Sequence, residues 1–323
     1  MYLLKLLKKF TSSNRNLDIS LPVYVYANRE NAGDFLSAKG VKTAVGIEGT
    51  DLVIEDNQLQ VFFKHHRGKK AKMIIGGGGL LKDTFQPFWE MILSSKARYF
   101  LCGVGVCDIK GQQSLLPDEV FRNVILKAEE VYVRDSWTSS LIEKRLGVKV
   151  HQILCPSVYY INNHLQSGQK RRLKKPILLY VHHRKLIQLS NHSENFARNI
   201  IKNICKMNNF VFSETDNICR NPDTLLQKYI HADFIISTRL HGCVFSYALN
   251  KPFAAVSADH KIDSFVNDYC NAHVVDINKL SLDSLNEMIH LGFSISPRKD
   301  DFSFHLNAIK STGEFIRRSF LSD

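Results

Sequence analysis

Asp233-Phe234-Ile235-Ile236-Ser237-Thr238-Arg239-Leu240-His241-Gly242 reads as a strand that passes through a short turn into a helix, because a β-branched apolar run gives way to the apolar stretch Cys243 to Leu249. Parallel sheets are built from such units. Their ligands bind at the carboxyl ends of the strands, beside helix amino termini that attract anions. Arg239 and His241 fall at that place. A guanidinium gives a carboxylate or phosphate a permanent charge and two parallel hydrogen bonds, and a histidine two residues on exchanges protons near neutral pH. The pair suits an anionic substrate undergoing proton transfer. An arginine at a strand end also pairs with structural carboxylates, and a histidine near a helix start also caps or packs, so the rest of the chain has to decide.

Working outward, strand and helix patterns alternate on both sides of this stretch, the signature of parallel sheets covered on both faces. Strands are expected at Val23 to Tyr26, Lys72 to Ile75, Tyr99 to Val104, Val131 to Arg134 and Lys149 to Leu154, with helices such as Pro117 to Glu129 and Ser136 to Leu146 between them. A second series starts at Ile177 to Val181 and continues through Phe210 to Ser213, Asp233 to Ser237, Phe253 to Val256 and His273 to Ile277. Its helices are expected near Glu194 to Met207, Pro222 to His231, Leu240 to Asn250 and Leu282 to His290. Between the series lies a polar, Lys-rich passage that ends in a proline. The organisation is therefore α/β: an amphipathic segment over 1–20, a Rossmann-like doubly wound domain over 21–165, a linker over 166–176, a second such domain over 177–300 and a helix over 301–323. That last helix carries Phe304, Ile309, Phe315, Ile316 and Phe320 as apolar positions and is expected to brace the two halves.

Composition narrows the function. The 43 Lys and Arg against 31 Asp and Glu leave a formal charge of +12, which asks for an anionic partner. The basic clusters Lys170-Arg171-Arg172-Leu173-Lys174-Lys175 and Lys5, Lys8, Lys9 interleave no aromatics in a binding-module pattern, so a nucleic-acid role is not expected. Cys102, Cys107, Cys155, Cys205, Cys219, Cys243 and Cys270 are odd in number and form no Cys-x-x-Cys pair, which argues against a disulfide framework and a zinc site. The histidines lack metalloprotease spacing, and no metal is expected. No apolar run is long enough for a membrane span, and Met1 to Arg15 is a poor secretory signal, so a cytoplasmic location is expected.

Four further junctions carry residues suited to a cleft. Gly76-Gly77-Gly78-Gly79 follows an apolar strand and allows positive φ and close approach to a ligand, without the lysine-serine of a P-loop. Gly103-Val104-Gly105 ends the next strand in a similar way, and both runs are also compatible with mere tight turns. Asn31-Ala32-Gly33-Asp34 places Asp34 either as a helix cap or as a carboxylate facing the cleft. At Arg134-Asp135-Ser136, Asp135 or Ser136 can cap while Arg134 points inward.

Taken in order, these motifs together with Thr238-Arg239-Leu240-His241-Gly242 and the downstream Lys261 resemble those of the polysaccharide pyruvyl transferase family, over about Val23 to Asn267. The resemblance implies a fold similar to the two-domain GT-B glycosyltransferases, with an acceptor domain first and a donor domain second. It implies transfer of the pyruvate skeleton of phosphoenolpyruvate onto a sugar as a cyclic ketal, with release of phosphate and without a cofactor. By the same resemblance Arg239 and His241 belong to the donor site, alongside Lys261, Arg134, Arg184, Asn31 and the glycines Gly76, Gly77, Gly78 and Gly79. His241 is then the expected proton-transfer group, and Asp34 the residue that orients or deprotonates the acceptor hydroxyl. The chain departs from the family pattern in two places. Cys155-Pro156-Ser157 stands where Pro-Asp is common, and His182-His183-Arg184 where an arginine is usual, leaving open which of the three replaces it. The rival readings are a nucleotide-sugar glycosyltransferase and a non-catalytic glycan- or phosphate-binding protein.

The expected acceptor is a glycan or lipid-linked oligosaccharide, which would bring the protein to the inner face of a membrane. Leu3, Leu4, Leu6, Leu7 and Phe10 alternate with lysines so that a helix would have an apolar side flanked by charge. Such a side either lies on an anionic membrane surface or packs on the protein itself. Vesicle co-sedimentation separates the two: surface binding predicts salt-sensitive pelleting with anionic vesicles that is lost on removing Met1 to Ser13, whereas packing predicts no pelleting of either chain.

Overall fold

The computed structural model describes residues 20–56, 58–66, 69–107, 110, 114–165, 175–183 and 194–322. The first series runs β1 (Val23–Tyr26), α1 (Ala32–Val45), β2 (Thr50–Val53), α2 (Gln58–His65), β3 (Lys72–Gly78), α3 (Gln86–Ser94), β4 (Arg98–Val104), α4 (Asp118–Leu126), β5 (Val131–Val133), α5 (Ser136–Leu146), β6 (His151–Gln152) and α6 (Ser157–His164). The second runs β7 (Ile177–Val181), α7 (Glu194–Met207), β8 (Val211–Thr215), α8 (Pro222–His231), β9 (Phe234–Ser237), α9 (Leu240–Ala248), β10 (Phe253–Ser257), α10 (His260–Tyr269), β11 (His273–Asp276) and α11 (Leu282–Phe293), before α12 (Phe302–Leu321). Two parallel sheets result, ordered β2-β1-β3-β4-β5-β6 and β11-β10-β9-β7-β8. Helices cover both faces, which is why β1, β9 and β10 are buried along their whole length and read as continuous apolar runs.

Each sheet reverses direction once. In the first, β1 pairs with β2 on one side and β3 on the other; in the second, β7 pairs with β8 and β9. Ligands of open parallel sheets bind at such reversals, outside the carboxyl ends of the strands. The segments leaving those ends are 27–34 and Gly78-Gly79 in the first half, and His182-His183 and Thr238 to His241 in the second.

The halves share an apolar seam. Ala32 and Leu36 of α1, Leu154, Cys155, Val158 and Ile161 around α6, and Leu240, Val244 and Phe245 of α9 belong to one buried cluster. Backbone pairing fastens the seam beside the strand ends: Ala32 N donates to Asn217 O at 3.0 Å and Cys219 N to Glu30 O at 2.8 Å. Ser136 at the start of α5 donates through N and Oγ to the Asp268 carboxylate of α10, at 2.9 and 2.8 Å.

Helix α12 braces the halves as expected. Its first residue, Phe302, lies against Tyr247 and under the Arg298 guanidinium of the second half. Its later turns insert Ile316 and Phe320 among Tyr24, Ile74 and Phe100 of the first, and Lys72 Nζ donates to the Phe320 carbonyl at 3.0 Å. The buried stripe is Ile309, Thr312, Gly313, Ile316 and Phe320. Phe304 and Phe315, expected in that stripe, fall off its helical spacing and are exposed. Strand β3 runs three residues beyond its expected end, into the glycines, while β6 keeps only two of the six residues expected at Lys149 to Leu154. The short strand β2 and helices α2 and α3 add to the expected pattern. Arg184, the amino-terminal amphipathic segment and most of the linker lie outside the described residues.

Gly313 is where α12 crosses α1, and a β-carbon there would collide with the Ala44 backbone. Gly313→Ala gains up to ~1 kcal/mol of helix propensity but overpacks a backbone contact at a cost of about 1–3 kcal/mol. A lowered thermal midpoint is expected, checked by calorimetry; a raised midpoint would show that the helices separate freely.

Candidate active site

The turn between β9 and α9 is held by Ser237, whose Oγ donates to Arg239 O at 2.8 Å and accepts from Arg239 N at 3.1 Å. A side chain at residue 242 would strike that same hydroxyl, so Gly242 lets α9 start against the strand. Arg239 occupies the N-cap position in extended conformation, which sends its side chain out of the helix. Nη1 of its guanidinium donates to the Asp216 carbonyl at 2.5 Å. His241, one residue into α9, is buried, and its Nε2 finds no hydrogen-bond partner among the described residues. Beside this turn, His183 N donates to Thr238 Oγ1 at 2.8 Å.

Across the seam, Asn31 caps α1 by accepting from Gly33 N at 3.2 Å. The cap of α1 is therefore Asn31 and not Asp34. Its buried carboxylate accepts from Asn31 Nδ2 at 2.8 Å and rests on Gly78, where a β-carbon would meet Oδ1. Gly77 and Gly78 have φ of +80° and +107°, a conformation that glycine adopts without strain. The two halves meet at Gly33, because the His241 ring fills the space a β-carbon there would need. Arg134 reaches the same region from the end of β5, buried over Gly105, where an added β-carbon would lie 2.6 Å from Nε. Its Nε stands 3.4 Å from Asp135 Oδ2, and Asp135 caps α5 by accepting from Thr138 N at 2.7 Å. Lys261 comes from the first turn of α10. Its Nζ lies 2.5 Å from Asp259 Oδ2 and 2.9 Å from Cys107 Sγ.

Electrostatics tie these groups together. Burial raises the Asp34 pKa from 3.8 to about 7, against the lowering pull of Arg134, Arg239 and Lys261. Burial and the same three cations push His241 well below the ordinary histidine value. His183 is lowered to about 4 by burial, Arg239 and Lys261. Burial also opposes charge on Lys261, but Cys107 and Asp259 more than offset it and hold the ammonium above the usual lysine range. The site therefore combines three cations with a neutral histidine and a carboxyl that titrates near neutrality.

Of the residues expected from sequence, the structure gathers Asp34, Arg134, Arg239, His241, Lys261, Gly78 and Gly79, with Asn31 as their support. Gly76 and Gly77 serve packing instead: side chains there would strike the Cys102 carbonyl and Ser37 of α1. Ser157, at the position where the family commonly has an aspartate, is buried with its Oγ 3.2 Å from Cys155 Sγ. Sequence reading missed Asp259 and Cys107 as neighbours of the cations, and left His183 as one of three candidates, which the structure sets beside Arg239 and Lys261. Asp259 was legible as the N-cap of α10, since its side chain accepts from Lys261 N; Cys107 faces the site only through the folding of its loop. Among the described residues, no group of three His, Cys, Asp or Glu is placed to hold a metal ion, and no helix is long and apolar enough to cross a membrane.

Two Rossmann-like halves with strand ends facing across a seam define a GT-B-type architecture, here with a strongly cationic centre. Solved structures share it. The UDP-GlcNAc 2-epimerase of Methanocaldococcus jannaschii, in complex with UDP-GlcNAc and UDP, has 9% identity and a TM-score of 0.60 over 94% of this chain and 99% of that one. The S. aureus MnaA–UDP structure has 12% identity and a TM-score of 0.61 over 91% and 96%. The wall teichoic acid polymerase TagF has 8% identity and a TM-score of 0.52 over 98% and 92%. At such identities the likeness establishes the fold alone. No curated protein sequence matches the chain. Residues 31–260 match the polysaccharide pyruvyl transferase family, and the chain belongs to it. That membership makes the protein a transferase.

The raised Asp34 pKa has a signed consequence for stability. The folded protein holds this proton more tightly than the unfolded chain, so stability is lost as pH rises from about 4 to about 7 and is level above that. Asp34→Asn removes that loss, and the variant should gain on the wild type across this interval by up to on the order of 4 kcal/mol. His241, lowered rather than raised, contributes the opposite slope to both proteins and largely cancels in the difference. Denaturant unfolding at several pH values checks it; a gap between the two curves that does not change with pH would show an ordinary carboxylate.

Proposed function

We propose that the enzyme transfers pyruvate from phosphoenolpyruvate to a sugar of a bacterial surface polysaccharide, or of its lipid-linked repeat unit, as a cyclic ketal with release of phosphate. The observation that carries this reading is the convergence of Arg134, Arg239 and Lys261 on Asp34 and His241 at the meeting of the two strand-end clusters. Phosphoenolpyruvate carries a carboxylate and a phosphate, which the guanidinium of Arg239 and the ammonium of Lys261 match in charge. Each such charged hydrogen bond contributes about 1.5–3 kcal/mol.

In the reaction a proton adds to the methylene carbon, making the central carbon electrophilic. One sugar hydroxyl attacks it, the C–O bond to phosphate breaks, and a second hydroxyl closes the ketal. One of the two hydroxyl protons balances the new methyl group and the other leaves with phosphate. The electrostatics favour Asp34 as proton donor: its carboxyl is half protonated near neutrality, and a bound anion would offset the three cations and raise it further. His241, held neutral, is suited to take the proton of the attacking hydroxyl. This reverses the roles expected from the motifs alone, because burial penalises the charged form of both groups. The cations neutralise the charge on the departing phosphate, so the reaction calls for no cofactor. A lipid-linked acceptor would place the enzyme in the cytoplasm at the inner membrane face.

The alternative is a nucleotide-sugar transferase, favoured by the UDP-bound fold neighbours. Incubation with each donor and an acceptor glycan distinguishes them by release of phosphate or of nucleoside diphosphate. With phosphoenolpyruvate, Arg239→Lys keeps the charge but loses the planar fork and should raise KM by about tenfold or more. His241→Ala should lower kcat by roughly 10²- to 10⁴-fold. Wild-type kinetics in both variants, or nucleoside diphosphate as the product, would overturn the assignment.

A further inference from the structure

Residues 216–219 follow β8 in the second half and are bonded to both halves. Arg239 Nη1 donates to the Asp216 carbonyl at 2.5 Å. The next carbonyl, that of Asn217, accepts from Ala32 N at 3.0 Å, and Cys219 N donates to Glu30 O at 2.8 Å. Between them Ile218 bridges Asn31 in antiparallel register. This strap thus runs from the guanidinium of the anion site to the helix start that carries Asp34 and receives the His241 ring at Gly33.

Asn217 is the centre of the strap. Its φ of +60° is left-handed, a conformation that glycine adopts with less strain, so the backbone alone does not call for an asparagine. The carboxamide has contacts of its own. Asn217 is fully buried, and its Oδ1 accepts from the Tyr229 hydroxyl of α8 at 2.7 Å. Burial raises the Tyr229 pKa well above the usual tyrosine range, against the lowering pull of Asn217 and Arg239, so the hydroxyl stays a donor. Tyr229 in turn packs edge-on to Phe245 with ring centroids 5.5 Å apart, and the Phe245 ring lies 5.9 Å from that of His241. Asn217 Nδ2 finds no hydrogen-bond partner among the described residues. A buried donor without a partner opposes folding, so stability gives no full account of this side chain.

We propose that Asn217, anchored by Tyr229, is a positioning residue that aims the Arg239 guanidinium at the anion, the identity of that anion resting on the donor reading above. The carboxamide pins residue 217 to α8, the pinned residue holds the Asp216 carbonyl in place, and that carbonyl fixes one end of the guanidinium. The remaining N–H groups of the fork are oriented before the ligand arrives, so that binding a carboxylate or phosphate orders less side chain. Because the Asn217 carbonyl also holds Ala32, the fork of the second half is set relative to Asp34 of the first. Loss of the carboxamide keeps the charge but lets the fork wander, which weakens the anion in ground state and transition state alike.

The test is a double-mutant cycle in the full chain. Asn217→Gly keeps the left-handed backbone and removes the carboxamide; it should raise KM for phosphoenolpyruvate roughly tenfold with kcat nearly unchanged, the sign that uniform binding has been lost. In an Arg239→Lys background, which has no planar fork to aim, the same change should add nothing, whereas a merely structural role multiplies the two effects. Tyr229→Phe leaves the backbone of the strap untouched and runs the same cycle, deciding alone should the glycine variant not fold. An unchanged KM in both variants, or effects that multiply with that of Arg239→Lys, overturns the inference. Calorimetric binding of inorganic phosphate repeats the cycle without turnover. A wild type that binds phosphate but never uses phosphoenolpyruvate contradicts the donor reading and leaves the phosphate cycle to decide the role of Asn217. Phosphate binding that Arg239→Lys does not weaken, or none at all, overturns the positioning role as well.

Discussion

Leu36, Val158, Ile161, Leu240 and Val244 close the apolar seam between the halves, and removing such side chains from water is worth about 1.5–3 kcal/mol each. In that seam α1 and α9 both pack against α6, and their amino termini meet at Gly33 and His241. Everything chemical follows from the meeting. Gly33 receives the His241 ring, Asp34 comes under the influence of three cations from both halves, and Asn31 is left to satisfy the first turn of α1. The backbone bonds from Ala32 to Asn217 and from Cys219 to Glu30 make the approach continuous with the fold rather than a chance contact of surfaces.

Within the site, burial outweighs charge. Three positive groups would ordinarily hold a neighbouring carboxylate below its usual pKa, yet Asp34 is raised because it has been removed from water. The same burial leaves His241 without its proton. Among the described residues, Asp259 stands at Lys261 and Asp135 at Arg134, while Arg239 is under the influence of Asp34 and Asp216. On the proposed reading, a multiply charged donor would complete the balance of charge and shift both proton-carrying groups toward their protonated forms.

Much of this was legible before folding, for identifiable reasons. Continuous apolar runs such as Phe234 to Ser237 and Ile177 to Val181 mark strands buried on both faces, and the turn after each strand must lie at one edge of its sheet. Arg239, His241, Asp34 and Arg134 could therefore be placed at strand ends from local pattern alone. Thr50 to Val53 escaped because a four-residue edge strand containing a threonine and an aspartate has no apolar run to announce it. Which strand ends face one another depends on the seam between halves, and no local pattern encodes that. The pKa shifts of Asp34 and His241 depend in turn on burial, which motif reading cannot see, and that is why the proposed proton roles differ from those expected from the motifs. Gly76 and Gly77 looked like ligand-binding glycines, but a tight turn against a helix asks for the same residue as a tight turn against a phosphate.

Helix α12 has a consequence for the order of assembly. Tyr24, Ile74 and Phe100 lie on one face of the first sheet, and Ile316 and Phe320 help to cover it, although more than two hundred residues separate Phe100 from Phe320. During synthesis the first sheet is made long before its cover, and that face stays wet until the second half has left the ribosome. The amino-terminal half is thus first to begin and among the last to finish, and Asp34 gains its permanent surroundings only when the whole chain is present. A truncated product would expose an apolar sheet face rather than retain a partial activity.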